Sequence, residues 1–173
     1  MKILLLGKNG QVGLELQRSH PPLGSVLALD QKSSDYCGDH CDLGGLAETV
    51  QRFAPDVIIN AAAYTVVDKA ESDTHLAFRV NAETVAVLAL EVKQWGSLLV
   101  HYSADFVFAG DVERPWYKTD AFVPLKQHCA SKLAGERAIQ ESSCMHLILC
   151  TSWLYAALQQ LRHDHASACP YAR

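Results

Sequence analysis

Short apolar runs alternate with segments of helical periodicity along most of the chain, and this alternation permits few architectures. The runs at 2–6, 25–30, 56–64, 97–103 and 145–150 are short and mainly apolar, which is typical of strands buried on both faces. Between them, residues 11–19, 46–55, 72–95 and 129–140 carry helical spacing. Strands that alternate with helices build parallel sheets covered by those helices. The sequence therefore predicts an α/β fold with a doubly wound parallel sheet.

Length, charge and composition exclude several classes of protein. The 173 residues suit one domain, and a net charge of −4 argues against a nucleic-acid partner. The apolar runs are too short to cross a bilayer, and the glycines after the first run do not fit a signal-peptide cleavage site. We therefore expect a cytoplasmic protein that binds neither nucleic acid nor membrane, with its six cysteines reduced.

One short segment has the residue types of a zinc half-site. "CGDHC" at 37–41 places His40 between Cys37 and Cys41. A structural zinc site needs four such ligands, and no second pair lies at a suitable distance in the sequence. We therefore predict no metal site.

Three glycines follow the first predicted strand and open the first predicted helix. In "GKNGQVG", Gly7, Gly10 and Gly13 are spaced as G-x-x-G-x-x-G. Glycines let the backbone turn tightly and approach a pyrophosphate, while free N–H groups at the helix N-terminus attract its charge. Asp30 ends the second strand, at about the distance of an acid that binds an adenosine ribose. This combination indicates a Rossmann-type dinucleotide site; the alternative is a plain strand–helix turn.

Four motifs in order resemble one enzyme family closely. "MKILLLGKNGQVG", "DVIINAAAYTVVDKAESD", "HYSADFVFAG" and "SKLAGE" are similar to segments of dTDP-4-dehydrorhamnose reductase, an extended short-chain dehydrogenase/reductase. The resemblance covers residues 1–156. It implies NADPH or NADH as cofactor and dTDP-4-dehydro-L-rhamnose as substrate, whose 4-keto group is reduced in the synthesis of dTDP-L-rhamnose for surface polysaccharide such as O-antigen.

The same resemblance implies roles for individual residues. The pyrophosphate would lie on Gly7 and Gly13 and on the segment Gly10, Gln11 and Val12. Asp30 would meet the adenosine ribose, with Asp39 and His40 near the adenine. Other cofactor contacts are implied for Ala62, Ala63, Tyr64, Thr65, Tyr102 and Lys132. The sugar nucleotide would meet position 104, Asp105 and Trp153.

Two positions depart from the family pattern at the reacting centre. The family reads S-T-D-Y-V-F where this chain has Ala104 after Ser103, so the threonine hydroxyl that polarises the carbonyl is absent. The family also reads Y-x-x-x-K where His128 precedes Lys132, so an imidazole replaces the phenol that donates the proton. Imidazole titrates near pH 6.5 but is shorter than tyrosine, and the Lys132 charge disfavours imidazolium. Ser103 cannot substitute for the threonine, because neighbouring strand residues point to opposite faces. We interpret His128 as an unselected replacement.

The last residues match neither the fold nor the family. We interpret 157–173 as an atypical tail derived from a frameshift, and its His163-Asp164-His165 run as noise rather than a metal cluster. We expect the family's C-terminal substrate-binding portion and its homodimer contacts to be largely absent. An uncovered sheet edge and apolar face would then favour aggregation.

Three functional interpretations stay open from the sequence. The chain is an impaired or inactive reductase of this family, a non-catalytic nucleotide-binding or interaction module, or a gene remnant without function. Cofactor binding separates the first two from the third, and turnover singles out the first. The sequence does not decide between NADH and NADPH, although Asp30 favours NADH by repelling a 2′-phosphate.

Overall fold

The computed structural model describes residues 1–104, 124, 126–151 and 154. Five strands and five α-helices follow one another through these residues, with two of the α-helices between the third and fourth strands. The strands are β1 (Lys2–Leu6), β2 (Ser25–Leu29), β3 (Val57–Asn60), β4 (Leu98–Ala104) and β5 (His146–Thr151). The helices are α1 (Gln11–Ser19), α2 (Leu43–Phe53), α3 (Thr74–Phe78), α4 (Thr84–Trp95) and α5 (Gln127–Ser142). The strands form one parallel sheet in the order β2-β1-β3-β4-β5, which confirms the predicted α/β class.

Most of the buried apolar side chains lie on one face of the sheet. Leu4, Leu6, Ile58 and Leu99 point from the strands into this main core. Helices α2, α4 and α5 cover it with residues that include Leu46, Val50, Leu88, Val92 and Ile139. The alternation of the strand side chains places Ile3, Leu5 and Ile59 in a smaller core on the opposite face, against Leu16 of α1.

The second face is covered less well at β4 and β5. Val100 and Tyr102 extend the smaller core there, and the register places Leu147 and Leu149 beside them. Leu147 is 49% exposed, and Met145 just before the strand is 63% exposed. Among the described residues, this end of the sheet therefore presents an apolar surface. The aggregation that we expected from it stays a prediction.

Two predicted elements differ from those observed. The predicted strand at 56–64 ends at Asn60, because that side chain turns its polar groups into the main core instead of continuing the apolar run. The predicted helix at 72–95 is interrupted by a π-helical turn at Arg79–Glu83. This turn carries a buried asparagine, Asn81, whose partners lie in other elements. Both deviations lie at the carboxyl end of the sheet, where the predicted site residues gather.

Candidate functional site

The presence of glycine at three positions of the loop after β1 has a different structural explanation at each position. Gly7 has φ +88°, and a Cβ there would lie 2.7 Å from the Ala62 nitrogen. A Cβ on Gly13 would overlap the carbonyl oxygen of Gly7. Gly10 has an ordinary φ of −75°, and its added Cβ would lie 3.5 Å from the nearest atom, an ordinary contact. Packing thus requires Gly7 and Gly13, whereas Gly10 keeps space open on the solvent side of the loop.

Gly10 borders an open cavity of about 470 Å³ at the carboxyl end of the strands. Helix α1 begins after it, and Gly10, as the N-cap residue, has no side chain to cap the first N–H groups of that helix. Eight of the predicted cofactor residues line the cavity: Gly7, Gly10, Asp30, Asp39, His40, Ala62, Ala63 and Tyr64. Gln11 and Val12 form the first turn of α1 beside the cavity. Thr65 is exposed and directly follows Tyr64 in the chain. The first N–H groups of α1 thus lie beside the cavity, in a position where a helix N-terminus favours an anion.

Asp30 projects into the same cavity with its charge partly compensated. Its carboxylate accepts hydrogen bonds from the Lys32 amide and the Ser33 hydroxyl, both at 3.0 Å, and from the Asn9 amide. The Lys8 ammonium lies 3.5 Å away. Desolvation acts to raise the pKa of Asp30, but the Ser33 and Lys32 hydrogen bonds and the Lys8 charge together hold it below the ordinary value. The carboxylate is thus ionised and oriented to accept a hydroxyl hydrogen bond.

A buried polar network lies beneath the cavity, and the sequence did not reveal it. The Ala62 amide donates to Asn60 Oδ1 at 3.2 Å, which fixes the orientation of that side chain. His40 Nε2 then donates to Asn60 Oδ1 at 3.1 Å, and Asn60 Nδ2 donates to His101 Nδ1 at 3.3 Å. The neutral His101 ring must carry its proton on Nε2, which is buried without a partner among the described residues. An asparagine that ends an apolar strand was the available sequence signal.

Asn81 joins the cavity wall to α5. Its Oδ1 accepts from the Tyr64 amide at 2.9 Å, and its Nδ2 donates to the Tyr64 carbonyl at 3.2 Å and to Ser131 Oγ at 3.0 Å. The π-helical turn directs Asn81 inward, and such turns occur frequently at functional sites. The segment after β3 is thereby held in place against the helix that carries His128 and Lys132.

The side chain of Lys132, a residue of α5, is almost fully buried against the end of β4. Its ammonium donates to the Tyr102 carbonyl at 2.6 Å, and the residue is only 3% exposed. Burial lowers its pKa to about 8, against the opposing effects of Glu136 and Cys150. The structure thus brings Lys132 and Tyr102 together, through the tyrosine backbone. The Tyr102 side chain packs into the smaller core, where burial raises the pKa of its phenol.

His128 lies one helical turn before Lys132 and is buried rather than on the surface. Burial and the Lys132 charge lower the pKa of its imidazole, while a hydrogen bond with the Tyr64 backbone opposes them. Its Nδ1 is buried and has no partner among the described residues. At neutral pH the ring is therefore uncharged and engaged with the cavity wall, which makes it a poor proton donor.

Because side chains alternate between the two faces along β4, the Ser103 hydroxyl points away from the position of the missing threonine. Ser103 is 3% exposed and donates to the Glu136 carboxylate, so its side chain points into the core under α5. Ala104 is half-buried, ends the strand and carries no polar group. Ser103 therefore does not replace the missing threonine. Asp105, Trp153 and the tail at 157–173 lie outside the described residues.

Within the described ranges, no three His, Cys, Asp or Glu side chains are grouped so that they would hold a metal ion. In the same part of the chain, no helix has the length and apolar character that crossing a membrane requires.

Comparison with known proteins places this architecture in a family. A family model described as "RmlD substrate binding domain" matches residues 1–164. The chain is 53% identical over 156 residues to dTDP-4-dehydrorhamnose reductase of Shigella flexneri, covering 90% of this chain and 52% of the relative. Its Escherichia coli K12 counterpart is 51% identical over the same length. The chain thus spans about half the length of the curated relatives it matches.

Solved structures agree with the family model. The dTDP-4-dehydrorhamnose reductase of Bacillus anthracis, solved in complex with NADP, superposes with a TM-score of 0.82 at 34% identity. The superposition covers 89% of this chain and 54% of that one. Fold and superposition together define a Rossmann-type α/β domain with an open cavity at the carboxyl end of its strands. The chain belongs to the RmlD family, that of the dTDP-4-dehydrorhamnose reductases.

Proposed function

We propose that this chain binds NADPH or NADH in the cavity at Gly10, and that its reduction of dTDP-4-dehydro-L-rhamnose is impaired. The observation that carries the proposal is Gly10 itself. Neither backbone strain nor packing requires a glycine there, yet the residue borders an open cavity and is itself the N-cap of α1, without a capping side chain. A site that receives a pyrophosphate against its backbone accounts for both facts. The NADP complex of the Bacillus anthracis relative supports this assignment.

Individual residues then have distinct tasks in cofactor binding. The N–H groups of Gln11, Val12 and Gly13 face the pyrophosphate, and Asp30 accepts from the adenosine ribose. Lys8 lies 3.5 Å from Asp30, so a cation is also close to a 2′-phosphate, and we propose that both NADH and NADPH are bound. Asp39 and His40 border the adenine end, and Lys132 meets the nicotinamide ribose. The bound cofactor supplies a hydride for the 4-keto carbon.

The groups that would assist hydride transfer are the ones that this chain lacks. Ala104 offers no hydroxyl to the carbonyl oxygen, and loss of one such donor typically costs about 3 to 4 kcal/mol of transition-state stabilisation. His128 is uncharged at neutral pH and is bound to the Tyr64 backbone, so proton delivery to the oxygen is also weakened. General acid catalysis contributes about 10²- to 10⁴-fold. We therefore propose slow turnover or none, together with retained cofactor binding.

Two measurements on the purified chain test the parts of this proposal separately. Equilibrium titration with NADPH and with NADH should give saturable binding at one site. Absence of binding to both would reject the proposed site. Oxidation of NADPH in the presence of dTDP-4-dehydro-L-rhamnose should be slow or undetectable under conditions that saturate the cofactor. Turnover in the usual range of enzymes, on the order of 10 per second, would show that Ala104 and His128 do not impair the reaction.

A further inference from the structure

The proposed function assigns no role to one buried carboxylate on α5. Glu136 is 4% exposed and lies one helical turn after Lys132. Carboxylates are rarely buried to this degree unless they are paired. Its hydroxyl partner is Ser103, the residue next to Tyr102 in β4.

Two successive turns of α5 are thus attached to two successive residues of β4. Lys132 Nζ donates to the Tyr102 carbonyl at 2.6 Å, and the Ser103 hydroxyl donates to the Glu136 carboxylate. The Ser103 carbonyl in turn accepts from Thr151 Oγ1 of β5 at 3.1 Å, so the strand end is held on both sides. These bonds fix the position of α5 along its axis and its rotation about that axis, at the end of β4 that carries Ala104.

The titratable groups around Lys132 come from three elements, β4, β5 and α5, and from the segment before α2. Glu136 on α5 and the Cys150 thiol on β5 act to keep its ammonium charged. His101 of β4, His40 before α2 and His128 of α5 lie within its field, and burial lowers the pKa of each of them. The three imidazoles are therefore uncharged at neutral pH and do not repel the ammonium. Glu136 supplies a carboxylate charge that opposes the lowering of the Lys132 pKa, and its position four residues after Lys132 places both side chains on one face of α5.

We propose that Glu136, held by Ser103, is a positioning residue that fixes the Lys132 ammonium on the Tyr102 carbonyl at the cofactor end of β4. Its contribution to cofactor binding rests on the proposed function, because that function places Lys132 at the nicotinamide ribose. Glu136 itself touches neither cofactor nor substrate and acts through the lysine.

Titration of Lys132 in the full chain tests this directly. The readout is the ε-methylene resonance of Lys132 in ¹³C-lysine-labelled protein, assigned by its absence from Lys132→Gln. In the unaltered chain the midpoint is expected at about pH 8. In Glu136→Gln, an uncharged isostere, the midpoint should fall by on the order of 1 pH unit, because the opposite charge is lost. The matched control is Glu141→Gln, an exposed carboxylate on the same helix, which should leave the midpoint unchanged.

A second variant covers the case in which Glu136→Gln does not fold. Ser103→Ala keeps the carboxylate but removes its hydroxyl donor, so the Lys132 midpoint should fall by a smaller amount. An unchanged midpoint in folded Glu136→Gln, or in Ser103→Ala when the first variant is unfolded, would overturn the proposal.

Cofactor titration separates this proposal from the proposed function. NADPH affinity in Glu136→Gln should weaken at a lower pH than in the unaltered chain, in parallel with the lysine midpoint. If the unaltered chain binds no NADPH while the midpoints shift as stated, the proposed function fails and the positioning role stands. If NADPH binds and both variants leave midpoint and affinity unchanged, the positioning role fails alone.

Discussion

At the residue scale, position 128 is one of two positions at which the chain departs from the family pattern, with an imidazole in place of a phenol. The imidazole is 6% exposed, is hydrogen-bonded to the Tyr64 backbone and has a lowered pKa. The sequence indicated that Lys132 would disfavour imidazolium, and the structure adds burial as the larger cause. What the sequence could not show was the contact with Tyr64, because that residue is 64 positions away in the chain.

Replacement of His128 tests whether it has a catalytic task. We expect that His128→Gln leaves any residual reduction of dTDP-4-dehydro-L-rhamnose within about twofold, since an uncharged ring that is already hydrogen-bonded contributes little as an acid. Steady-state NADPH oxidation at pH 7 measures this, and the exposed His75 provides the control His75→Gln. A loss on the order of 100-fold in His128→Gln alone would identify His128 as the proton donor after all.

At the element scale, the strands were predicted more closely than the helices. Four of the five strand predictions agree with the structure to within about one residue, because continuous apolar runs report burial on both faces. The interruption at Arg79–Glu83 was missed, since its cause is long-range: Asn81 binds Tyr64 and Ser131. Helical periodicity reports which face is buried, but it does not report which distant backbone groups need a partner.

The close approach of α5 to the π-helical turn depends on Gly135. A Cβ at that position would overlap the Asn81 carbonyl oxygen, so Gly135→Ala must push α5 away from the turn. We expect a loss of about 1 to 3 kcal/mol in the free energy of unfolding, measured by urea denaturation, because overpacking outweighs the gain in helix propensity.

Gly44 is the matched control for this change. It lies near the start of α2, and an added Cβ would meet only Asp42 Oδ1 at 3.8 Å. Gly44→Ala should therefore be neutral or slightly stabilising. Equal stability of the two variants would show that the packing of α5 on the turn is less tight than the structure indicates.

At the scale of the whole molecule, buried histidines make stability dependent on pH. Burial lowers the pKa of His40, His101 and His128, so between the native values and about 6.5 the unfolded chain binds more protons than the native one. The free energy of unfolding must therefore fall as the pH falls below about 6.5. Each fully titrating histidine contributes about 1.4 kcal/mol per pH unit. The raised pKa of Glu136 acts in the opposite direction at lower pH.

A single substitution separates the contribution of His101 to this pH dependence from that of the other buried histidines. His101→Asn retains an acceptor for Asn60 and removes the buried ring, so the slope of unfolding free energy between pH 5.5 and 6.5 should fall by up to about 1.4 kcal/mol per pH unit. Urea denaturation at several pH values measures it. The exposed His75, changed to Asn, should leave the slope unchanged. An unaltered slope in His101→Asn would mean that the pKa of His101 is the same in the native and in the unfolded chain.

The central claim is that an intact dinucleotide site remains where the reacting groups have changed. The most direct test compares NADPH affinity in the unaltered chain, in Gly10→Ala and in Gly44→Ala by equilibrium titration. Gly10→Ala should keep its free energy of unfolding within about 1 kcal/mol, because its backbone angles suit alanine. In the proposed site the new methyl group would nevertheless occupy the space of the pyrophosphate, so we predict that NADPH affinity falls at least tenfold in Gly10→Ala and is unchanged in Gly44→Ala. Equal affinity in all three proteins would contradict it.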